Sequence, residues 1–173
     1  MEFNKRTAYV YIKTLTGHTK QVYDLFRKHE WVIGAWAVTG EYDVIAWVNA
    51  KNDDDVYNYA NTIKSWEGVD YTTSYLVHNG YLHDYNRLDT PNGVWVRLRV
   101  DRMDQALTYF KDYDFIGSWA NLPGEYDFTL YIVGESTRAA IENVLRLTEK
   151  RSWRTLTYVP VYSYLNANYA KQF

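Results

Sequence analysis

From Ala8 to Thr14 small apolar side chains alternate with larger ones: Ala8, Val10 and Ile12 on one side, Tyr9, Tyr11 and Lys13 on the other. A period of two predicts a strand. Val22, Leu25, Phe26 and His29 then recur at helical spacing, with Thr16 as the expected N-cap. Residues 31–39 and 42–50 read as two strands joined by the Gly40-Glu41 turn, a hairpin. Val56, Tyr59, Ala60 and Ile63 lie at i, i+3, i+4 and i+7, an amphipathic helix capped by Asn52 or Asp53. Residues 69–78 close the series as a strand.

The same order returns downstream. Val94, Val96, Leu98 and Val100 alternate with Trp95, Arg97 and Arg99, a strand. Met103, Ala106, Leu107 and Phe110 form a helical stripe behind an Asp101 cap, and residues 115–122 and 126–133 form a second hairpin. Ser136 is expected to cap a helix burying Ile141, Val144 and Leu145. Residues 156–165 are the last strand; Pro160 has no N–H for a ladder, so that strand belongs at an edge or carries a bulge.

Shared strings reinforce the repeat. Ile33-Gly34-Ala35-Trp36 through Gly40-Glu41-Tyr42-Asp43 returns as Ile116-Gly117-Ser118-Trp119 through Gly124-Glu125-Tyr126-Asp127, with one residue more before the second glycine. The expected organisation is therefore α+β, two βαββαβ modules over 1–78 and 93–173. Residues 79–92, containing Gly80, Asp84, Asn86, Asp89 and Pro91, are expected to link them. In each module the aliphatic strand face suits the helices. The other face, rich in Tyr, Trp and Arg, is too apolar for water and too polar for a simple core. Pairing these second faces within one chain, as an intramolecular pseudo-dimer, resolves the conflict.

Composition narrows the chemistry. The chain has 173 residues, no cysteine and a formal charge of −2. Disulfides, thiolate metal sites and cysteine nucleophiles are excluded. Residues 1–78 carry 8 Lys/Arg against 10 Asp/Glu, and residues 79–173 carry 11 against 11, so neither half is drawn to nucleic acid or an anionic membrane. The polar start shows no signal-peptide core, and no run approaches the ~18 apolar residues of a membrane span. The expected location is the cytoplasm. The 18 Tyr and 7 Trp suit interfaces and ligand clefts.

The two Gly-Glu-Tyr-Asp turns admit two readings. The glycine suits a positive-φ position, and the aspartate can stiffen the turn by accepting a backbone amide. Alternatively, exposed amides there grip a carboxylate while Glu41 or Glu125 holds an ammonium, so that the turn binds a small zwitterion. His18, His29, His78 and His83 have no metal-ligand spacing, so no metal or cofactor is expected. Asp53-Asp54-Asp55 complements a helix N-terminus, and Lys150, Arg151 and Arg154 a helix C-terminus. No nucleophile elbow, P-loop or dinucleotide motif is present.

Ala8-Tyr9-Val10-Tyr11-Ile12-Lys13-Thr14, followed by Ala35-Trp36-Ala37-Val38-Thr39-Gly40-Glu41-Tyr42-Asp43-Val44-Ile45-Ala46-Trp47-Val48, resembles the effector-binding (RAM) domain of the Lrp/AsnC regulators. The resemblance covers 8–78 well and 93–165 more loosely, as a tandem duplication. It implies a ferredoxin-like fold, paired in the manner of dimeric α/β-barrels, and a small effector, typically an amino acid, bound near the hairpin turn. The residues carried over are Thr39, Gly40, Glu41, Tyr42 and Asp43, then Gly124, Glu125, Tyr126 and Asp127, with Pro123 where the first turn has threonine. Further self-association, and pairing with full-length regulators of the family, are implied partners. Only seven residues precede the first strand, so no helix-turn-helix and no direct DNA contact are expected. A non-enzymatic effector module is the leading expectation. An interaction module with vestigial sites and a monooxygenase-like enzyme are the alternatives.

Overall fold

A computed structural model describes residues 2–3, 6–149 and 151–173. Lys150, one member of the basic cluster, lies outside the described residues. The elements in chain order are β1 (Glu2–Phe3), β2 (Thr7–Thr14), α1 (Thr19–Phe26), β3 (Val32–Thr39), β4 (Val44–Asn49), α2 (Asp53–Lys64) and β5 (Val69–Leu76). There follow β6 (Gly80–Leu82), a 3-10 turn (Tyr85–Asp89), β7 (Val94–Arg99), α3 (Met103–Lys111), β8 (Ile116–Asn121), β9 (Phe128–Ile132), α4 (Thr137–Thr148), β10 (Arg154–Leu165) and a 3-10 turn (Ala167–Tyr169). The chain is α+β, and its contacts divide it into two compact units.

The first unit holds the described residues of 4–77 together with 160–172. Its strands run in the order β10, β3, β4, β2, β5. Ala8, Val10 and Ile12 of β2 and Val44, Ala46 and Val48 of β4 form a core with Val22, Tyr23 and Phe26 of α1 and Val56 and Ile63 of α2. The expected aliphatic face is thus the helix bed. Tyr9, Tyr11 and Trp47 on the opposite face are also buried, with Tyr9 stacked on Trp47 at 5.8 Å. Asn52 caps α2 by accepting the Asp55 amide at 2.9 Å, as its side chain suggests. The N-cap of α1 is His18, without a side-chain cap bond, rather than Thr16.

The second unit holds residues 2–3, the described residues of 78–159, and 173. Its strands run β1, β6, β8, β9, β7, β10. Val94, Val96, Leu98, Phe128, Leu130 and Ile132 pack against Ala106 and Phe110 of α3 and Ala140, Val144 and Leu147 of α4. The expected buried stripe of α4 is rotated: Ile141 and Leu145 are exposed, because Ala140, Val144 and Leu147 present the better i, i+4, i+7 row. Ser136 caps this helix by accepting the Ala139 amide at 3.1 Å. The α3 N-cap is Arg102, since the Asp101 carboxylate is occupied by the Trp153 indole N–H at 2.9 Å.

The segment expected to be a linker is structured. Gly80–Leu82 pairs with β8 and β1, and Leu82, Tyr85 and Leu88 are buried. Three apolar side chains at 82, 85 and 88 give this stretch a core-facing side that its Gly, Asp and Pro residues obscure. Pairing of β10 with β7 runs from Arg154 to Tyr158, ending before Pro160 as the missing N–H requires.

Candidate functional site

Both hairpin turns are held by one device. In the first, the Asp43 amide donates to the Ile12 carbonyl at 2.9 Å and its carbonyl accepts the Val38 amide at 2.9 Å. Its carboxylate accepts the amide and hydroxyl of Thr14 at 2.9 and 3.1 Å and pairs with the Lys13 ammonium at 3.2 Å. In the second, the Asp127 amide donates to Leu98 at 3.0 Å, its carbonyl accepts the Leu122 amide at 2.9 Å, and its carboxylate accepts the Val100 amide at 2.8 Å. The aspartates therefore clasp each turn to the end of the neighbouring strand.

These bonds equate Val38 with Leu122 and Asp43 with Asp127, so the two turns are equal in length. The extra residue read from the sequence arises because Ile33-Gly34-Ala35-Trp36 and Ile116-Gly117-Ser118-Trp119 are one place out of structural register. Ala35 pairs with Ala46, and Trp119 pairs with Leu130. Both of these pairs belong to the helix-side cores, whereas Trp36 does not. A one-residue slip moves a side chain to the other face.

The remaining turn residues are open to solvent. Thr39, Gly40 and Glu41 are exposed, as are Pro123, Gly124 and Glu125. Among the described residues the amides of Gly40, Glu41, Gly124 and Glu125 donate to no acceptor. Gly40 has φ +141°, a conformation that favours glycine, whereas Gly124 does not adopt positive φ. Tyr42 is buried, with its hydroxyl 3.1 Å from the Thr73 hydroxyl and its ring 5.4 Å from Tyr11 and 5.9 Å from Tyr71. Local desolvation, with Tyr42 and Glu41 nearby, pushes the Tyr71 phenol above its ordinary value. Tyr126 instead lies beneath the Arg97 guanidinium, 4.5 Å from its ring centre.

The first turn thus brings open amides, the Glu41 carboxylate and the Tyr71 phenol to one patch, beside the Lys13–Asp43 pair. Sequence reasoning missed Lys13, Thr14, Tyr71 and Thr73, which come from β2 and β5. It also missed a cavity of about 560 Å³ in the second unit, lined by Tyr81, His83, Phe110, Lys111, Asp112, Tyr113, Asp114, Ile116 and Trp119. Among the described residues no three His, Asp or Glu are grouped to hold a metal. No described helix is long and apolar enough to cross a membrane.

Residues 7–86 match the Lrp/AsnC ligand binding domain. That span contains the first hairpin turn and bears out the resemblance read from 8–78. The chain is also similar to the HTH-type transcriptional regulator FL11 of Pyrococcus furiosus, 27% identical over 70 residues, which is 40% of this chain and 46% of the regulator. The chain spans about half the length of this curated relative. Two solved structures align along most of the chain. A siroheme decarboxylase, NirDL, crystallised with an iron-uroporphyrin III analogue, gives a TM-score of 0.63 at 10% identity, covering 91% of this chain and 71% of that one. A monooxygenase-like protein of Lactobacillus acidophilus gives 0.55 at 8% identity, covering 92% and 95%. At such identities the likeness to these two proteins is one of fold alone.

Proposed function

We propose that this chain is a regulatory ligand-binding module whose effector, an amino acid, is held at the turn formed by Thr39, Gly40, Glu41, Tyr42 and Asp43. The observation that supports it most is the coincidence of the ligand-binding-domain match with a turn whose Gly40 and Glu41 amides are open. Two adjacent amides suit a carboxylate, and the Glu41 carboxylate suits the ammonium of the same zwitterion. Asp43 serves by holding the turn in shape, and Tyr42 by packing beneath it.

Gly124, Glu125, Tyr126 and Asp127 form the second, weaker site. There Pro123 removes one amide and the hydroxyl that Thr39 offers in the first turn. The effector acts by changing how copies of the chain associate, with one another or with full-length regulators, in proportion to its differential affinity for the associated state. In this reading the protein binds its ligand without transforming it, in the cytoplasm and without contacting nucleic acid itself. Titration with the common amino acids, followed by thermal stability and by mass, tests it. A rise in melting temperature with a change in mass is expected for at least one. Silence across the whole set would refute the proposal.

A further inference from the structure

The two units are finished differently at matching edges. In the first, residues 160–165 of β10 run beside β3. Tyr162 stacks on Tyr23 of α1 at 5.8 Å, the Arg27 guanidinium lies 5.6 Å from the Tyr164 ring, and Asn166 bonds to the carbonyls of Val32 and Ile33. The corner between β3 and the C-terminal end of α1 is therefore filled. In the second unit the strand beside β8 has only three residues, Gly80–Leu82. After His83, whose amide reaches the Gly117 carbonyl at 2.9 Å, the chain turns away into the 3-10 turn. The equivalent corner, between β8 and the C-terminal end of α3, is the cavity of about 560 Å³.

Its lining has a consistent chemistry. Phe110, Ile116 and Trp119 are each less than a tenth exposed and supply an apolar floor, with the half-buried rings of Tyr81 and Tyr113 beside them. Lys111, Asp112, Asp114 and His83 are exposed and bring both signs of charge to the rim. The volume lies within the range, roughly 300–1,000 Å³, of pockets that enclose small molecules. An apolar floor alone would suit any greasy body, and a rim of one sign would select one ion. The two together select a ligand that carries an ammonium and a carboxylate on an aromatic or large aliphatic body.

We propose that this cavity is a second small-molecule site, separate from both hairpin turns, for a zwitterion with a bulky apolar side chain. The ammonium sits toward Asp112 and Asp114, the carboxylate toward Lys111 and His83, and the side chain against Phe110 and Trp119. The inference shares with the function proposed above the idea of a zwitterionic ligand, but it uses none of the turn residues.

Calorimetric titration of the full chain with L-phenylalanine, phenethylamine and 3-phenylpropionate tests it. L-phenylalanine is expected to bind once per chain at this site and more tightly than either singly charged analogue. The doubly substituted Asp112→Asn, Asp114→Asn protein should bind it about tenfold more weakly, as loss of a charge-assisted contact implies, with an unchanged melting temperature. Three results overturn the inference: no binding of L-phenylalanine, binding that the double substitution leaves intact, or equal affinity for 3-phenylpropionate. Binding that survives the double substitution but is lost on Glu41→Gln overturns this inference while supporting the turn site. Loss on the double substitution, with every amino acid failing to alter mass, upholds the cavity and counts against the proposed regulation.

Discussion

Oδ2 of Asp43 accepts two hydrogen bonds from Thr14, one from its amide at 2.9 Å and one from its hydroxyl at 3.1 Å. Loss of the charged acceptor deprives the amide of buried Thr14 of its partner, while the Thr14 hydroxyl keeps that of Thr19 at 2.9 Å. Asp43→Ala is expected to lower the free energy of unfolding by about 1–3 kcal/mol. Asp127→Ala should act in the same direction through the Val100 amide. Urea denaturation of each variant checks this; unaltered stability would return both carboxylates to a purely ligand-binding role.

Glu41 is exposed, and its carboxylate makes no hydrogen bond or ion pair among the described residues. Glu41→Gln should therefore leave the unfolding free energy of the free protein within about half a kcal/mol of its original value. The mass change on addition of an amino-acid effector should be lost. The contrast with Asp43→Ala separates the residue that contacts ligand from the one that shapes the turn.

Trp119 packs its ring 5.9 Å from Phe110 and 6.0 Å from Phe128, on the helix side of the second sheet. Trp119→Ala is expected to cost about 3–5 kcal/mol, the range for removing a buried large aromatic. Placing tryptophan at the structurally equivalent Ala35, fully buried in the first core, should instead destabilise by overpacking, on the order of 1–3 kcal/mol. Had the shared Ile-Gly-x-Trp string been in structural register, Trp36 and Trp119 would occupy equivalent environments; unfolding curves of Trp36→Ala and Trp119→Ala compare them.

His29 lies between two indoles, 4.8 Å from Trp31 and 5.2 Å from Trp66. Desolvation, with the Lys28 charge adding to it, lowers its pKa from the ordinary 6.5. The unfolded chain therefore binds more protons than the folded one between the two pKa values. Stability from this residue is fully present above the unfolded value and is lost as pH falls through the folded one. Unfolding free energies measured from pH 7.5 down to 5 should decline, and His29→Phe should flatten that part of the curve. An identical slope in the variant would sink the assignment.

Asn166 closes the edge of β3, its side-chain amide donating to the Val32 carbonyl at 3.0 Å in a buried position. Asn166→Ala should lower the stability of the first unit by about 1–3 kcal/mol. Hydrogen exchange should show faster opening of β3 than of β2.

The order of elements was legible because each is encoded over a few neighbouring residues. Alternation in β2 and β7, helical spacing in α2, and the side chains of Asn52 and Ser136 act locally, and the structure follows them. Features depending on a distant partner were hidden. The rotation of α4 follows from which row meets the sheet, and the Asp101 carboxylate is claimed by Trp153, 52 residues away. The 80–88 segment looked like a linker because its polar residues outnumber Leu82, Tyr85 and Leu88, although those three reach a core.

For the candidate site, the twin Gly-Glu-Tyr-Asp turns were visible in the sequence from their composition and repetition. Their division of labour was not. That Asp43 is spent on Thr14 while Gly40 and Glu41 stay open depends on where β2 ends, a matter of strand pairing. Nor could the chain reveal the cavity beside Trp119. It exists because a three-residue strand runs along β8, whereas the second half of β10 runs along β3, and that contrast arises only when segments far apart in sequence are brought to the matching edge of each unit. Local chemistry determined the turns; the packing of remote segments decided which groups within them were left available, and which hollow was left at the end of α3, away from both turns.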